Sequence, residues 1–155
     1  MTRAATPLRY EPLTESGAIR AASWFENDDE GQREFGGFYG QHPKWWGLVQ
    51  ADEHRHGWIV SCAEEPCGFV DLELQDDNRA SAAVYVRASH RGRGVGRAIL
   101  RGLPALARSI GAVEVFGGIR PDNTASLRMA HAAGAMSGGA DQHGYLIMRS
   151  SPLTR

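Results

Sequence analysis

Apolar and polar positions divide the chain into a succession of short elements. Residues 8–13 predict a strand, and residues 14–25 have the hydroxyl-rich start and apolar spacing of a helix. A second helix is expected over residues 30–39. The stretch FGGFYGQHPKWWG, residues 35–47, mixes glycines and a proline with six aromatic rings counting His42, and reads as a loop with a packed aromatic side. Residues 58–62 and 67–74 alternate or run apolar as a hairpin across AEEP, and residues 82–86 add a third strand.

The second half changes rhythm. Over residues 94–110, Val95, Ile99, Leu103, Leu106 and Ile110 recur at helical spacing, and Gly111 is placed to end the helix. Pro104 interrupts this pattern, because an interior proline removes a backbone hydrogen bond and costs roughly 3 kcal/mol unless packing compensates. A strand follows over 113–119. Asp122 or Asn123 then caps a helix running to about residue 133, which Gly134 stops, and residues 145–148 form a last strand. Strand, helix, strand, helix implies a partly parallel sheet with helices packed on it.

At 155 residues and 42% apolar composition, the chain is long enough for one domain with its own core. It shows neither a basic-then-apolar leader nor the roughly 18 consecutive apolar residues of a membrane span, so a soluble, cytoplasmic protein with no membrane partner is expected. In that setting Cys62 and Cys67 are expected as reduced thiols rather than a disulfide. The net charge of −1 hides an asymmetry: residues 1–75 hold six Lys/Arg against thirteen Asp/Glu, and residues 76–155 hold eleven against five. A cationic ligand is steered toward the first half and an anionic one toward the second.

The candidate anion site is HRGRGVGRAIL, residues 90–100, where glycines and arginines stand between a strand and a helix. A helix start has unpaired N–H groups and a partial positive charge, glycines let a ligand approach the backbone, and arginines add forked donors. Two phosphate motifs fail on spacing. A nucleotide P-loop requires Lys and Ser/Thr after its last glycine, but Arg97 and Ala98 follow Gly96. A dinucleotide fingerprint requires G-x-G-x-x-G, whereas Gly92, Gly94 and Gly96 fall at every second residue. What remains is R-x-x-G-x-G at Arg91, Gly94 and Gly96. RNA binding through RGRGVGR is a further reading, opposed by the acidic first half and the lack of a basic surface rich in stacking aromatics.

VRASHRGRGVG resembles the acetyl-CoA loop of the GNAT superfamily of N-acyltransferases, and IRPDNTASLRMAHAAGA, residues 119–135, resembles its later N-x-x-[A/S] segment. The resemblance covers roughly residues 57–149. It implies a single GNAT domain over residues 1–155: an α/β fold with a mixed six- to seven-stranded sheet, splayed central strands and about four helices. It further implies that the backbone of Val84, Tyr85 and Val86 pairs with pantetheine, that Arg91, Gly92, Arg93, Gly94, Val95, Gly96 and Arg97 hold the pyrophosphate, and that Asn123 and Ser126 line the thioester end. The implied reaction is direct transfer from acetyl-CoA to a primary amine of a small molecule or a peptide N-terminus. The alternative is a regulatory domain that binds acetyl-CoA without catalysis. No metal or nucleic acid is implied, and a homodimer stays open.

Amine transfer has a protonation cost. A lysine-like amine must lose its proton about three pH units below its pKa, roughly 4 kcal/mol, so a base or a water chain to one is expected. Asp71 and Glu73, on one face of the strand over 67–74, are the candidates, with Tyr85 a third polar group. A backbone N–H near Tyr85 and Val86 is the candidate oxyanion donor. Many superfamily members place an acidic tyrosine seven residues after the Asn, but Ala130 occupies that place here, and His131 points about 100° away. PDNTAS resembles the branch that acetylates ribosomal-protein alanine N-termini, in which a serine three residues after the Asn is assigned as acid; Ser126 stands there.

Trp24, Trp45, Trp46 and Trp58, with Phe35, Phe38 and Tyr39, are candidates for an acceptor wall, with core packing the simpler role. His54 and His56 have no Cys/His partner at metal-ligand spacing and are expected in a solvated loop.

Overall fold

The computed structural model describes residues 7–142 and 144–150. Its strands hydrogen-bond in the order β1-β2-β3-β4-β5-β7-β6: β1 (Leu8–Pro12), β2 (Arg55–Cys62), β3 (Glu65–Leu74), β4 (Arg79–Val86), β5 (Glu114–Ile119), β6 (Met136–Ala140) and β7 (Leu146–Arg149). The helices are α1 (Glu15–Ser23), α2 (Asp29–Gly31), α3 (His42–Ala51), α4 (Val95–Ser109) and α5 (Thr124–Ala132). Among the described residues the expected mixed sheet is therefore present with seven strands. Of the five helices among them, α2 has only three residues.

Contacts group the described residues into two compact units, one holding those up to Asp71 with Val84–Val95, the other Leu72–Ala83 and those from Gly96. In the first unit, β1 pairs antiparallel with β2 from Leu8↔Cys62 to Pro12↔Trp58. Thr14 caps α1 by accepting the Gly17 N–H at 3.1 Å. β2 and β3 are buried almost throughout, so their sequences run apolar instead of alternating. The aromatic rings form the core between these elements. Trp45, fully buried, stands 4.7 Å from Phe69 and 5.1 Å from Tyr39, and Phe25 lies 4.7 Å from Tyr85.

Several expectations in this unit need correction. Residues 42–51 form α3 rather than a loop: Pro43 stands in the first turn, where its missing N–H costs nothing, and Trp45 anchors the helix in the core. The helix expected over 30–39 is broken, with α2 passing into a π-helical turn at Gln32–Gly36 and then into turns. His56 lies within β2, stacked on Trp58 at 6.1 Å, not in a loop. Cys62 and Cys67 are free thiols with sulfurs 2.9 Å apart, one on each side of the β2–β3 turn.

In the second unit, β4 and β5 pair in parallel from Arg79↔Glu114 to Ser81↔Phe116, and both strands continue past that ladder. This is the local signature of the parting expected of the central strands. β5 goes on pairing with β7, and β7 with β6, both antiparallel. β6 lies outside the sequence expectation, because its MSGGA sequence has no apolar alternation and all five residues are exposed. α4 passes through Pro104 and buries Val95, Ile99, Leu103 and Ala107 along one stripe. Leu106 and Ile110 are only half-buried.

Candidate functional site

β4 ends at Val86, a 3-10 turn covers Ala88–His90, a turn follows over residues 91–94, and α4 begins at Val95. Gly92 and Gly94 have φ of +76° and +81°, left-handed values that disfavour side chains, and a Cβ on either would meet nothing within 4 Å. The turn therefore needs glycine for its backbone path, and its flank is open. Arg93 and Arg97 are exposed beside it, while Val95 and Gly96 are buried. The first turn of the fifteen-residue α4 presents N–H groups without intrahelical partners. Chemically, this mouth suits a dianionic group such as a pyrophosphate.

The strand leading into the loop is held on one side. The Arg87 N–H donates to Cys67 O at 2.8 Å, and a Cβ on Gly68 would stand 2.1 Å from Tyr85 O, so β3 and β4 backbones are in close contact there. By strand alternation, the peptide groups of Val84 and Val86 face away from β3. Those are the groups an extended ligand would pair with. Tyr85 itself is 1% exposed, stacked on Phe69 at 5.2 Å, with its hydroxyl donating to Asp28 Oδ2 at 2.5 Å. Burial, then the Asp28 carboxylate, pushes the Tyr85 phenol well above its ordinary pKa. As a catalytic acid or base it would first have to leave that bond.

Arg91 turns inward. Its Nη1 and Nη2 donate to Asp28 Oδ1 and Oδ2 at 3.1 and 2.6 Å, and its Nε to Val86 O at 3.2 Å. Burial works to raise the Asp28 carboxyl, but hydrogen bonds from Arg91, Tyr85 and the Gly31 N–H outweigh it and hold it at about 2. Sequence reasoning missed Asp28. Its one signal is position, just before a predicted helix, because its partners lie 57 and 63 residues along the chain.

Asp71 is 3% exposed and already engaged: Arg55 donates to both its oxygens, at 2.6 Å from Nη2 to Oδ2 and 3.0 Å from Nε to Oδ1, and the Tyr39 hydroxyl donates to Oδ2 at 2.6 Å. Burial, then Asp71, raises the Tyr39 phenol far above its ordinary value. Proton transfer to Asp71 would disturb a bidentate ion pair. Glu73 is half-buried and accepts a hydrogen bond from Gln75 at 3.1 Å. In the second unit, Asn123 rather than Asp122 caps α5, its Oδ1 accepting the Ser126 N–H at 3.2 Å. Ser126 is placed in that first turn, and Ala130 is buried one turn on. Among the described residues, no group of three His, Cys, Asp or Glu is placed to hold a metal ion, and no helix is long and apolar enough to cross a membrane.

The family model described as "Acetyltransferase (GNAT) family" matches residues 19–135. The chain belongs to that family. This GNAT protein is accordingly an acetyl-CoA-dependent acetyltransferase. Its fold is similar to that of aminoglycoside acetyltransferase AAC(6')-Ib in complex with coenzyme A and kanamycin, with a TM-score of 0.80 at 16% identity over 94% of this chain and 95% of that one. An acetyltransferase from Thermus thermophilus gives 0.77 at 18% identity over 96% and 99%. The GNAT domain of S. lividans PAT gives 0.72 at 21% over 92% and 89%. At these identities the likeness is one of fold. No curated protein matches the GNAT chain by sequence.

Proposed function

We propose that the chain acts as one domain that transfers an acetyl group directly to a primary amine, with the mouth of α4 as its coenzyme site. The observation that carries this reading is the open, positive-φ glycine turn at Gly92 and Gly94, set between the end of a strand and a helix start. N–H groups over residues 92–97 would take the pyrophosphate, assisted by Arg93 and Arg97. Val84 and Val86 would pair with the pantetheine arm. The attacking nitrogen forms the new C–N bond as the C–S bond breaks; the amine proton leaves through a base, and the thiolate takes up a proton.

Ser126 is the proposed acid and Glu73 the proposed base, the latter because Asp71 is committed to Arg55. The acceptor is proposed to be a cationic small amine or a peptide N-terminus. The acidic first half favours such a molecule, and proteins of similar fold include an aminoglycoside acetyltransferase bound to kanamycin and a spermidine N-acetyltransferase. The finer reading, the alanine N-terminal branch, rests on PDNTAS alone.

The test is thiol release from acetyl-CoA with a panel of aminoglycosides, polyamines, amino acids and peptide N-termini. Turnover with any of them supports transfer. Coenzyme binding by calorimetry without turnover on any acceptor would favour the regulatory alternative, which the buried Ala130 motivates. An unchanged kcat in Ser126→Ala would remove Ser126 as the acid.

A further inference from the structure

Asp28 is a carboxylate with 5% exposure, and a buried charge persists only where donors surround it. It accepts four hydrogen bonds: two from Arg91, one from Tyr85 and one from the Gly31 N–H at 3.1 Å. These donors come from three separate places in the chain. Gly31 closes α2, Tyr85 lies near the end of β4, and Arg91 is the residue before the first positive-φ glycine of the loop. The fit is close, since a Cβ on Gly31 would stand 2.3 Å from Asp28 Oδ2 and 2.9 Å from the Tyr85 ring.

The same guanidinium also reaches back to Val86 O. One side chain therefore ties the last residue of β4 to the start of the glycine turn, and Asp28 holds that side chain in place. Both terminal nitrogens and Nε of Arg91 each donate one hydrogen bond within the protein, so although the side chain is 37% exposed its fork faces Asp28.

We propose that Asp28 is a positioning residue for coenzyme binding: it draws Arg91 inward as a latch that sets the path of residues 91–95, so Arg91 serves the coenzyme through backbone geometry rather than by touching phosphate. The proposal rests on the reading of this loop as the pyrophosphate site. A latch of this kind lowers the ordering cost of binding and leaves the chemical step alone.

The test measures coenzyme A affinity by calorimetry and steady-state kinetics for the wild type, Asp28→Asn, Arg91→Lys, Arg91→Gln and the Asp28→Asn/Arg91→Gln double variant. Asp28→Asn is expected to weaken binding about tenfold and raise KM for acetyl-CoA alike, with kcat within about twofold. Arg91→Lys keeps a cation but loses the two-pronged bond, and is expected to bind as weakly as Arg91→Gln. The double variant should be no weaker than Arg91→Gln alone, because the two residues act as one unit.

Wild-type affinity in Arg91→Lys, or additive losses in the double variant, would overturn the latch, since each means that Arg91 acts on phosphate by its own charge. Hydrogen exchange of the amides over 91–95 in coenzyme-free protein separates the two readings. Faster exchange in Asp28→Asn than in wild type supports the latch even if the wild type takes up no coenzyme, a result that would instead remove the proposed function. Unchanged exchange would overturn the latch.

Discussion

Gly68 and Tyr85 meet backbone to backbone: a Cβ on Gly68 would stand 2.1 Å from the Tyr85 carbonyl oxygen. Neither main chain has a flexible end that can yield. Gly68→Ala is therefore expected to push the end of β4 away from β3, with a loss of about 2–3 kcal/mol of stability. Because Val86 O anchors Arg91, coenzyme affinity should fall with it. Urea unfolding and calorimetry on the variant check both, and a Gly68→Ala protein with native stability and affinity would contradict this account.

The charge state of Asp28 links stability to pH. Its folded-state carboxyl titrates at about 2, below its ordinary 3.8, so the ionised form is the one the fold favours. The stabilisation is complete above about pH 4 and disappears as the pH falls toward 2, amounting to on the order of 2 kcal/mol. Urea midpoints followed from about pH 5 downward should fall more steeply in wild type than in Asp28→Asn. Parallel curves would show that Asp28 is not held in this way.

Arg55 and Asp71 form a buried pair that one partner cannot leave alone. Arg55→Met strands the carboxylate and is expected to cost about 3–5 kcal/mol. Tyr39→Phe removes one donor and should cost about 1–3 kcal/mol. The double variant Arg55→Met/Asp71→Met should recover part of the Arg55→Met loss, read in the same unfolding experiment. If the double variant were less stable than Arg55→Met, the charge-stranding argument would fail.

The two thiols should differ in reactivity. Burial, followed by the neighbouring Cys62 thiol, pushes Cys67 up to about 12, and its side chain is fully buried, whereas Cys62 is partly exposed. Only the thiolate is nucleophilic. Iodoacetamide near neutral pH should alkylate Cys62 first, with peptide mapping by mass spectrometry as the readout. Equal rates in the folded protein would contradict the burial of Cys67.

Local patterns make much of this architecture legible. The stripe Val95, Ile99, Leu103 announces α4, the pair Asp122 and Asn123 announces a cap, and the glycine turn announces itself through spacing that rules out two other phosphate motifs. Elements without a local signature stay hidden. β6 carries glycines and exposed side chains because it needs only hydrogen bonds from β7, and α3 is masked by the glycines and proline that surround its buried Trp45.

Sequence by itself determined the order of elements, the loop with its charges, and the family to which they belong, since all of these depend on residues close together in the chain. Tertiary structure alone decided what the charged groups do. Asp71 reads as a candidate base and is a buried ion-pair member; Arg91 reads as a phosphate ligand and is bonded to Asp28; and Asp28 carries no local signal beyond its place before a helix. A charge is governed by the donors and acceptors that surround it in space, and here those come from 16, 57 and 63 residues away, a separation at which no spacing rule operates.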